Sequence, residues 1–143
     1  MEEYTVSGCI VTHNNRKCIL KAVETFFQFT KGVRNHLYIV DNDSTDDTLA
    51  LLHQHFPADR FPNLEILEEK QNHGFGGGHN LVLPRLSSKY HAIINPDIFL
   101  RDDVLTKMAR YMDEHEEVGL LSPRICFPDG REQILGRRNP SLR

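Results

Sequence analysis

Short apolar runs alternate with helical segments along this chain, and each run stops at a polar loop. The runs cover residues 6–12, 36–40, 63–67, 91–94 and 118–121. Runs this short and this apolar are typical of buried strands, and helices between them allow neighbouring strands to pair in parallel. The alternation therefore predicts an α/β domain with three layers, in which helices cover both faces of a mostly parallel central sheet.

The segments between the runs carry apolar residues at helical spacing. The first helix follows Asn15, whose side chain is expected to cap it. Further helices are predicted over residues 49–56, 79–86 and 104–111, the last capped by one of the two aspartates before it. Residues 124–130 end in Pro-Asp-Gly and predict the start of a hairpin.

Composition and charge describe one globular domain, which we expect to span residues 1–143. The chain has 17 basic and 20 acidic residues and a net charge of −3, so it lacks the basic footprint of a nucleic-acid-binding protein. Cys9, Cys18 and Cys126 lie far apart without metal-ligand spacing, which favours a reducing compartment over a disulfide framework. The acidic N-terminus is unlike a signal peptide, so the cytoplasm is the expected location.

Polar clusters follow the first four predicted strands, at residues 12–15, 41–46, 72–80 and 95–97. One such cluster would be an ordinary turn, because loops at strand ends are rich in Asn, Asp and Gly. The carboxyl ends of parallel strands, however, meet at the same edge of a sheet, and ligands of open α/β folds bind there. The clusters together therefore predict a binding site at that edge.

The glycine-rich segment at residues 72–78 is not a dinucleotide-binding fingerprint. Gly74 and Gly76 supply the first two glycines, but His79 occupies the third position, and the segment follows the third strand rather than the first. The sequence contains no P-loop motif either. We expect a loop whose glycines allow the backbone to approach a ligand closely, with a flexible surface loop as the alternative.

The sequence Asn95-Pro96-Asp97 is expected to end the fourth strand, because proline cannot donate to a sheet ladder. Asp97 would then project into the predicted cleft. Magnesium usually takes one or two protein carboxylates and completes its shell with phosphates and waters, so Asp97 is a candidate metal ligand. The alternatives for Asp97 are the capping of a turn and an ion pair with Arg101.

The strand-end motifs resemble those of family 2 glycosyltransferases, especially a rhamnosyltransferase-like branch. A T-x-x-N-like turn is matched by residues 11–14, V-D-N-x-S-x-D by 40–46, and N-x-G-[FY]-[AG]-x-G-x-N by 72–80. The family's D-x-D signature is matched in its N-P-D form by 95–97. The resemblance covers nearly the whole chain. It implies a GT-A fold and a hexosyltransferase-type reaction on a nucleotide-diphosphate sugar.

The resemblance also implies a role for each matched residue. The expected nucleotide-sugar-binding residues are Thr12, Asn14, Asp41, Asn42, Gly74, Gly78, Asn80 and Asn95. Among them, Asp41 would contact the base or the ribose, and Asn80 would be the direct contact from the glycine-rich segment. Asp97 would hold Mg²⁺ or Mn²⁺ against the diphosphate, and Asp46 would cap the second helix.

The chain departs from the family pattern in two places. Asn95 replaces the first carboxylate of the D-x-D signature. The family's acceptor site and general base belong to a later segment with an E-D pair, and no residue after Phe127 resembles it. We therefore expect only the donor-binding part, with a fold incomplete at its C-terminus and no catalytic base within the chain.

The expected donor is a dTDP- or UDP-sugar, and the N-P-D form favours dTDP-rhamnose. The acceptor would be a saccharide or a lipid-linked molecule in the synthesis of a cell-surface polysaccharide, which allows peripheral association with the inner face of the membrane, and self-association. One alternative is a non-catalytic nucleotide-sugar-binding or assembly module. Another is a nucleotidyltransferase, which would need a basic, glycine-rich phosphate loop that residues 7–15 do not offer.

Overall fold

Four parallel strands form the central sheet in the computed structural model, which describes residues 4–133. The strands are β1 (Tyr4–Thr12), β2 (Asn35–Asn42), β3 (Leu64–Glu69) and β4 (Ser88–Ile94). Their spatial order is β3-β2-β1-β4, and every neighbouring pair is parallel. Parallel neighbours require crossover connections, which the helices supply. The tail at residues 136–143, in which the sequence shows little pattern, lies outside the described residues.

Helices cover both faces of this sheet. They are α1 (Ile19–Phe29), α2 (Thr48–His55), α3 (Gly74–Val82, followed by a 3₁₀ turn at Leu83–Arg85) and α4 (Val104–Glu114). Helices α1, α2 and α4 contribute to one hydrophobic cluster, and α3 contributes to a second cluster on the opposite face. The predicted three-layer α/β/α architecture with a parallel sheet is confirmed.

Alternate residues of β1 face the two layers of the core. Val6 and Ile10 belong to the cluster beneath α1, α2 and α4, while Cys9 and Val11 belong to the cluster beneath α3. Because helices cover both faces of a parallel sheet, its central strands are buried on both sides. This burial explains why the sequence shows a continuous apolar run at β1 instead of an alternating pattern.

The glycine-rich segment was predicted to be a loop, and this prediction was wrong. α3 already begins at Gly74, whose positive φ of 72° turns the chain into the helix. Glycine is a poor helix former, so packing must compensate for its low propensity. A Cβ on Gly78 would lie 2.7 Å from a methyl group of Val11, so this glycine brings α3 into close contact with β1.

The predicted fifth strand at residues 118–121 is also absent from the described part of the chain, and Leu120 is 90% exposed. The run is short and contains Gly119, and none of its residues pairs with β4. The predicted hairpin, in contrast, begins as expected. Phe127 donates to the carbonyl of Arg131 at 2.8 Å, and Cys126 forms an antiparallel bridge with Glu132.

Two predicted helix caps were wrong as well. The Asn15 side chain does not cap α1, because its Oδ1 accepts hydrogen bonds from the Thr12 hydroxyl and the His13 amide, both at 3.0 Å. Asp103 occupies the N-cap position of α4 without a capping hydrogen bond from its side chain, and Asp102 pairs with Lys107 instead. Polar residues before a helix have other nearby backbone donors to choose from.

None of the helices among residues 4–133 is both long and apolar enough to cross a lipid bilayer.

We expect the substitution Gly8→Ala to destabilise the fold. A Cβ at Gly8 would lie 2.8 Å from the buried ring of Phe26 and 3.2 Å from side-chain methyl groups of Ile94 and Leu37. Overpacking of this kind costs about 1–3 kcal/mol. Gly32→Ala is the matched control, because Gly32 has open space around its Cα, and its effect should stay within about 0.5 kcal/mol. Urea denaturation measures the stability of both variants, and equal unfolding midpoints for Gly8→Ala and Gly32→Ala would contradict the prediction.

Candidate functional site

A cleft of about 440 Å³ opens at the carboxyl edge of the sheet. Its lining residues are Val11, Thr12, His13, Asn15, Asn42, Asn72, Gly74, Phe75, Asn95, Pro96 and Asp97. They follow the ends of β1, β2, β3 and β4, so each of the predicted polar clusters contributes. The predicted convergence of these clusters at one edge of the sheet is confirmed.

The cleft contains some of the predicted site residues and leaves others outside it. Those that line it are Thr12, Asn42, Gly74, Asn95 and Asp97. Those that do not are Asn14, Asp41, Gly78 and Asn80. Asn80 is exposed on α3, while Gly78 is buried against β1 and shapes the cleft only by setting the position of that helix.

Sequence reasoning assigned no role to His13, Asn72 or Phe75, yet all three line the cleft. Each belongs to a strand-end cluster, and that position is the signal that could have identified it. Phe75 is 53% exposed, and its ring packs edge-on against His79 with 4.5 Å between ring centroids. An exposed aromatic ring held in this way offers a flat apolar surface at the rim of the cleft.

Asn14 joins the loop after β1 to the loop after β2. Its Oδ1 accepts hydrogen bonds from the amides of Thr45 (2.8 Å) and Asp46 (3.1 Å), and its own amide donates to the Ser44 hydroxyl at 3.0 Å. Asn14 has a φ of 55°, a left-handed conformation that asparagine tolerates better than most residues. Its side chain therefore fixes the shape of two neighbouring loops.

Asp41 is a buried carboxylate beside the cleft, with 2% of its surface exposed. Its Oδ2 accepts a hydrogen bond from the Ser44 amide at 3.1 Å. Its Oδ1 is also buried and has no hydrogen-bond partner among residues 4–133. A buried carboxylate oxygen without a donor is costly.

Asp46 has the structural role that was predicted for it. Its Oδ1 accepts from the amide of Thr48, the first residue of α2, at 2.9 Å, and also from the Thr48 hydroxyl. Its Oδ2 accepts from the Arg16 amide at 3.4 Å. Burial alone would raise the pKa of Asp46, but these hydrogen bonds outweigh it and lower the pKa.

Asn42 joins β2 to both the first loop and α3. Its Nδ2 donates to the carbonyl of Gly74 at 3.0 Å, and its Oδ1 accepts from the His73 amide at 3.3 Å. Its own carbonyl lies 2.8 Å from Nδ1 of His13. Because a carbonyl only accepts, this His13 nitrogen must carry the proton.

Asp97 is the only carboxylate among the described residues that line the cleft. It is exposed, and within the described chain its carboxylate forms no hydrogen bond or ion pair. The alternative pairing with Arg101 is not found, since Arg101 donates to the carbonyl of Pro128 at 3.1 Å. Residues 4–133 include no group of three or more His, Cys, Asp and Glu that could hold a metal. The free carboxylate of Asp97 could supply one oxygen ligand to a divalent cation.

Two histidines, one on α3 and one on β4, lie near each other. His91 on β4 is 2.7 Å from the Ser7 hydroxyl, which in turn is 2.6 Å from the Ser88 hydroxyl. His79 on α3 is buried, and neither of its ring nitrogens has a hydrogen-bond partner in the described chain. Burial lowers the pKa of His79, and burial together with the nearby His79 lowers the pKa of His91 to about 4.

The sequence model of the Glycosyl transferase family 2 matches residues 7–141. The chain belongs to glycosyl transferase family 2. The match begins within β1 and runs through every strand-end cluster of the cleft. The resemblance of these motifs to those of family 2 glycosyltransferases is therefore confirmed.

Two relatives are similar to this glycosyltransferase chain over most of its length. The minor teichoic acid biosynthesis protein GgaB of Bacillus subtilis (strain 168) is 25% identical over 129 residues, which cover 90% of this chain and 14% of GgaB. The uncharacterized glycosyltransferase MJ1057 of Methanocaldococcus jannaschii is 23% identical over 141 residues, which cover 98% of this chain and 48% of that protein. The chain thus spans less than half the length of either relative.

Solved structures with the same architecture are GT-A glycosyltransferases. S. aureus TarS 1–349 in complex with UDP has a TM-score of 0.66 and 22% identity. The match covers 78% of this chain and 33% of the TarS chain. The mannosyltransferase PcManGT from Pyrobaculum calidifontis, in complex with GDP-Man and Mn²⁺, has a TM-score of 0.66 and 19% identity. The match covers 76% of this chain and 32% of the PcManGT chain. The predicted GT-A fold is confirmed.

We expect the free energy of unfolding to fall as the pH drops from about 6.5, the ordinary pKa of histidine, to about 4. Over this range the unfolded chain binds protons that the folded His91 excludes, so acid favours unfolding, by about 1–3 kcal/mol. His91→Gln stays uncharged and should reduce the slope, whereas His55→Gln at the exposed end of α2 should not. Urea titrations at several pH values measure the slopes, and identical slopes in the parent and His91→Gln would contradict this assignment.

Proposed function

We propose that this chain supplies the donor-binding part of a sugar transferase, with a nucleoside-diphosphate sugar in the cleft at the carboxyl edge of the sheet. One observation carries the proposal: polar residues from the ends of all four strands line a single cleft that includes the free carboxylate of Asp97. A nucleotide needs hydrogen-bond partners for its base and ribose and charge neutralisation for its diphosphate. The ends of β1 and β2 would supply the hydrogen-bond partners for the base and ribose. The end of β4 would neutralise the charge of the diphosphate.

In the whole protein, an acceptor hydroxyl would attack the anomeric carbon of the bound sugar. A new C–O bond forms as the C–O bond to the diphosphate breaks, and the nucleoside diphosphate leaves with the electron pair of that bond. The proton of the hydroxyl passes to a general base. Asp97 is assigned to the diphosphate side, so a separate group must act as that base.

Asp97 would hold Mg²⁺ or Mn²⁺ against the diphosphate. Its carboxylate is exposed and free, and the ion would complete its shell with phosphate oxygens and water, as Mg²⁺ usually does. The presence of Mn²⁺ in the PcManGT complex supports this choice of cofactor. When bound, the cation would neutralise the charge that develops on the leaving diphosphate.

The proposed donor is a UDP- or dTDP-sugar, with dTDP-rhamnose favoured by the N-P-D form of the motif. The UDP complex of TarS supports a uridine nucleotide as the carrier of the donor sugar. The teichoic acid role in the name of GgaB supports a cell-surface polysaccharide as the product, built on a saccharide or lipid-linked acceptor. Such an acceptor would place the protein in the cytoplasm, at the inner face of the membrane.

Titration calorimetry with UDP, dTDP and GDP, each with and without Mn²⁺, tests the proposed function. We expect UDP or dTDP to bind more tightly than GDP, and Mn²⁺ to strengthen that binding in the parent. Asp97→Ala should bind the nucleotide with the weaker, metal-free affinity whether or not Mn²⁺ is present, because its metal ligand is gone. Asp59→Ala removes an exposed aspartate from the turn before β3 and should behave like the parent. If Mn²⁺ strengthens binding to Asp97→Ala as much as to the parent, Asp97 is not the metal ligand.

Asp41→Asn should weaken nucleotide binding by about 10- to 100-fold while leaving the melting temperature nearly unchanged. The amide keeps the shape of the side chain and an oxygen for the Ser44 amide, but it places a donor where Oδ1 is ready to accept. Asp43→Asn is the matched control, because Asp43 is exposed and its φ of 61° suits asparagine. A lower melting temperature with unchanged affinity would show that Asp41 only stabilises its loop.

A further inference from the structure

We propose that Asn42 is a positioning residue, whose side chain holds the first turn of α3 against the end of β2 so that the cleft is formed before a nucleotide binds. This role deepens the proposed function and rests on it, because the consequence of correct positioning is tight nucleotide binding. The hold itself is a property of the protein without ligand.

Three hydrogen bonds meet at Asn42. Its side chain bonds the backbone of two successive residues at the start of α3, as donor to Gly74 and acceptor from His73. Its carbonyl accepts from His13, in the loop after β1. One residue at the end of a central strand therefore fixes two of the walls that line the cleft.

Gly74 adopts a left-handed backbone conformation. Its φ of 72° marks the point where the chain turns from the loop after β3 into α3. Its amide donates to Oδ1 of Asn72 at 2.8 Å, and its carbonyl accepts from Asn42 at 3.0 Å. Phe75 follows directly and lines the cleft. Loss of the Asn42 side chain would free the peptide that sets the direction of this turn.

The Asn42 side chain is deeply buried. Asn42 is 2% exposed, whereas Asn72 and Asn95, which line the same cleft, are exposed. Hydrogen bonds made by a buried amide are costly to lose, because water does not replace the missing partner. The His73–Glu69 pair also joins the start of α3 to the end of β3, but its side chains are 25% and 29% exposed, so solvent screens it more.

Asn42→Ala should weaken UDP binding, measured by calorimetry with Mn²⁺ present, by about ten-fold. The matched control is Asn35→Ala at the other end of β2. The Asn35 side chain donates to the carbonyls of Thr30 and Val33 and accepts from Asn63, so its loss removes a comparable number of partly buried hydrogen bonds at the opposite end of the strand. Both variants should melt at lower temperature, but only Asn42→Ala should lose affinity. Equal affinities for the two variants would overturn the proposal.

A conservative variant separates positioning from a general loss of stability. Asn42→Asp cannot donate to Gly74 while its carboxyl is ionised, but the protonated carboxyl can. Burial raises the pKa of a carboxyl, so this variant should recover affinity on going from about pH 7.5 to about pH 5. His13 and His73, the titratable groups in contact with Asn42, are present in the parent, whose own pH profile is the reference. A profile parallel to that of the parent would overturn the proposal.

Hydrogen exchange in the ligand-free protein tests the positioning role of Asn42 without any nucleotide, and so separately from the proposed function. Amides of residues 73–78 should exchange faster in Asn42→Ala than in the parent, while those of α1 should change no more than in Asn35→Ala. Unchanged exchange at residues 73–78 would overturn the positioning role even if nucleotides bind. Failure of the parent to bind any nucleotide, with faster exchange in Asn42→Ala, would contradict the proposed function and leave the positioning role supported.

Discussion

Parallel pairing of β1 with β2 on one side and β4 on the other is the constraint on which the site depends. All the strands run in one direction, so the polar residues that follow them are brought to one edge of the sheet. The close contacts at Gly8 and Gly78 bring α1 and α3 against the two faces of β1, and α3 contributes part of the cleft wall. The position of the cleft therefore follows from backbone pairing, and its shape follows from how near the helices can approach.

Asparagine side chains hold several of the loops at this edge, alongside the carboxylates of Asp41 and Asp46. Asn14, Asn15, Asn42 and Asn72 each bond the backbone of their own or a neighbouring loop. An amide both donates and accepts, so one side chain can satisfy two backbone groups. It also adds no charge beside the place where a diphosphate would sit. Asp97 is left as the charged group on the cleft wall, which suits an anionic ligand only if a cation accompanies it.

The sequence was sufficient to predict the layers, the parallel sheet and the edge at which the polar clusters meet. These depend on the short apolar runs and on the helical segments between them, both of which can be recognised in the local sequence. It was not sufficient for the start of α3, because Gly78 and Val82 are held helical by packing against β1 and not by propensity. Nor could it show that Asn15 turns back to Thr12, since several backbone donors compete for one short side chain. The strand predicted at residues 118–121 failed for a related reason: a strand needs a partner, and no local pattern supplies one.

The strand order also bears on how the molecule folds. β1 is made first but lies between its partners, and its pairing with β4 closes a loop from Tyr4 to Ser88. Contacts between residues so distant in sequence form slowly, because chain entropy is lost before they are gained. Asp97 follows β4, so an intermediate that has assembled only β1, β2 and β3 lacks the carboxylate of the proposed diphosphate site. A donor nucleotide would then stabilise the finished sheet alone and draw the folding equilibrium toward it.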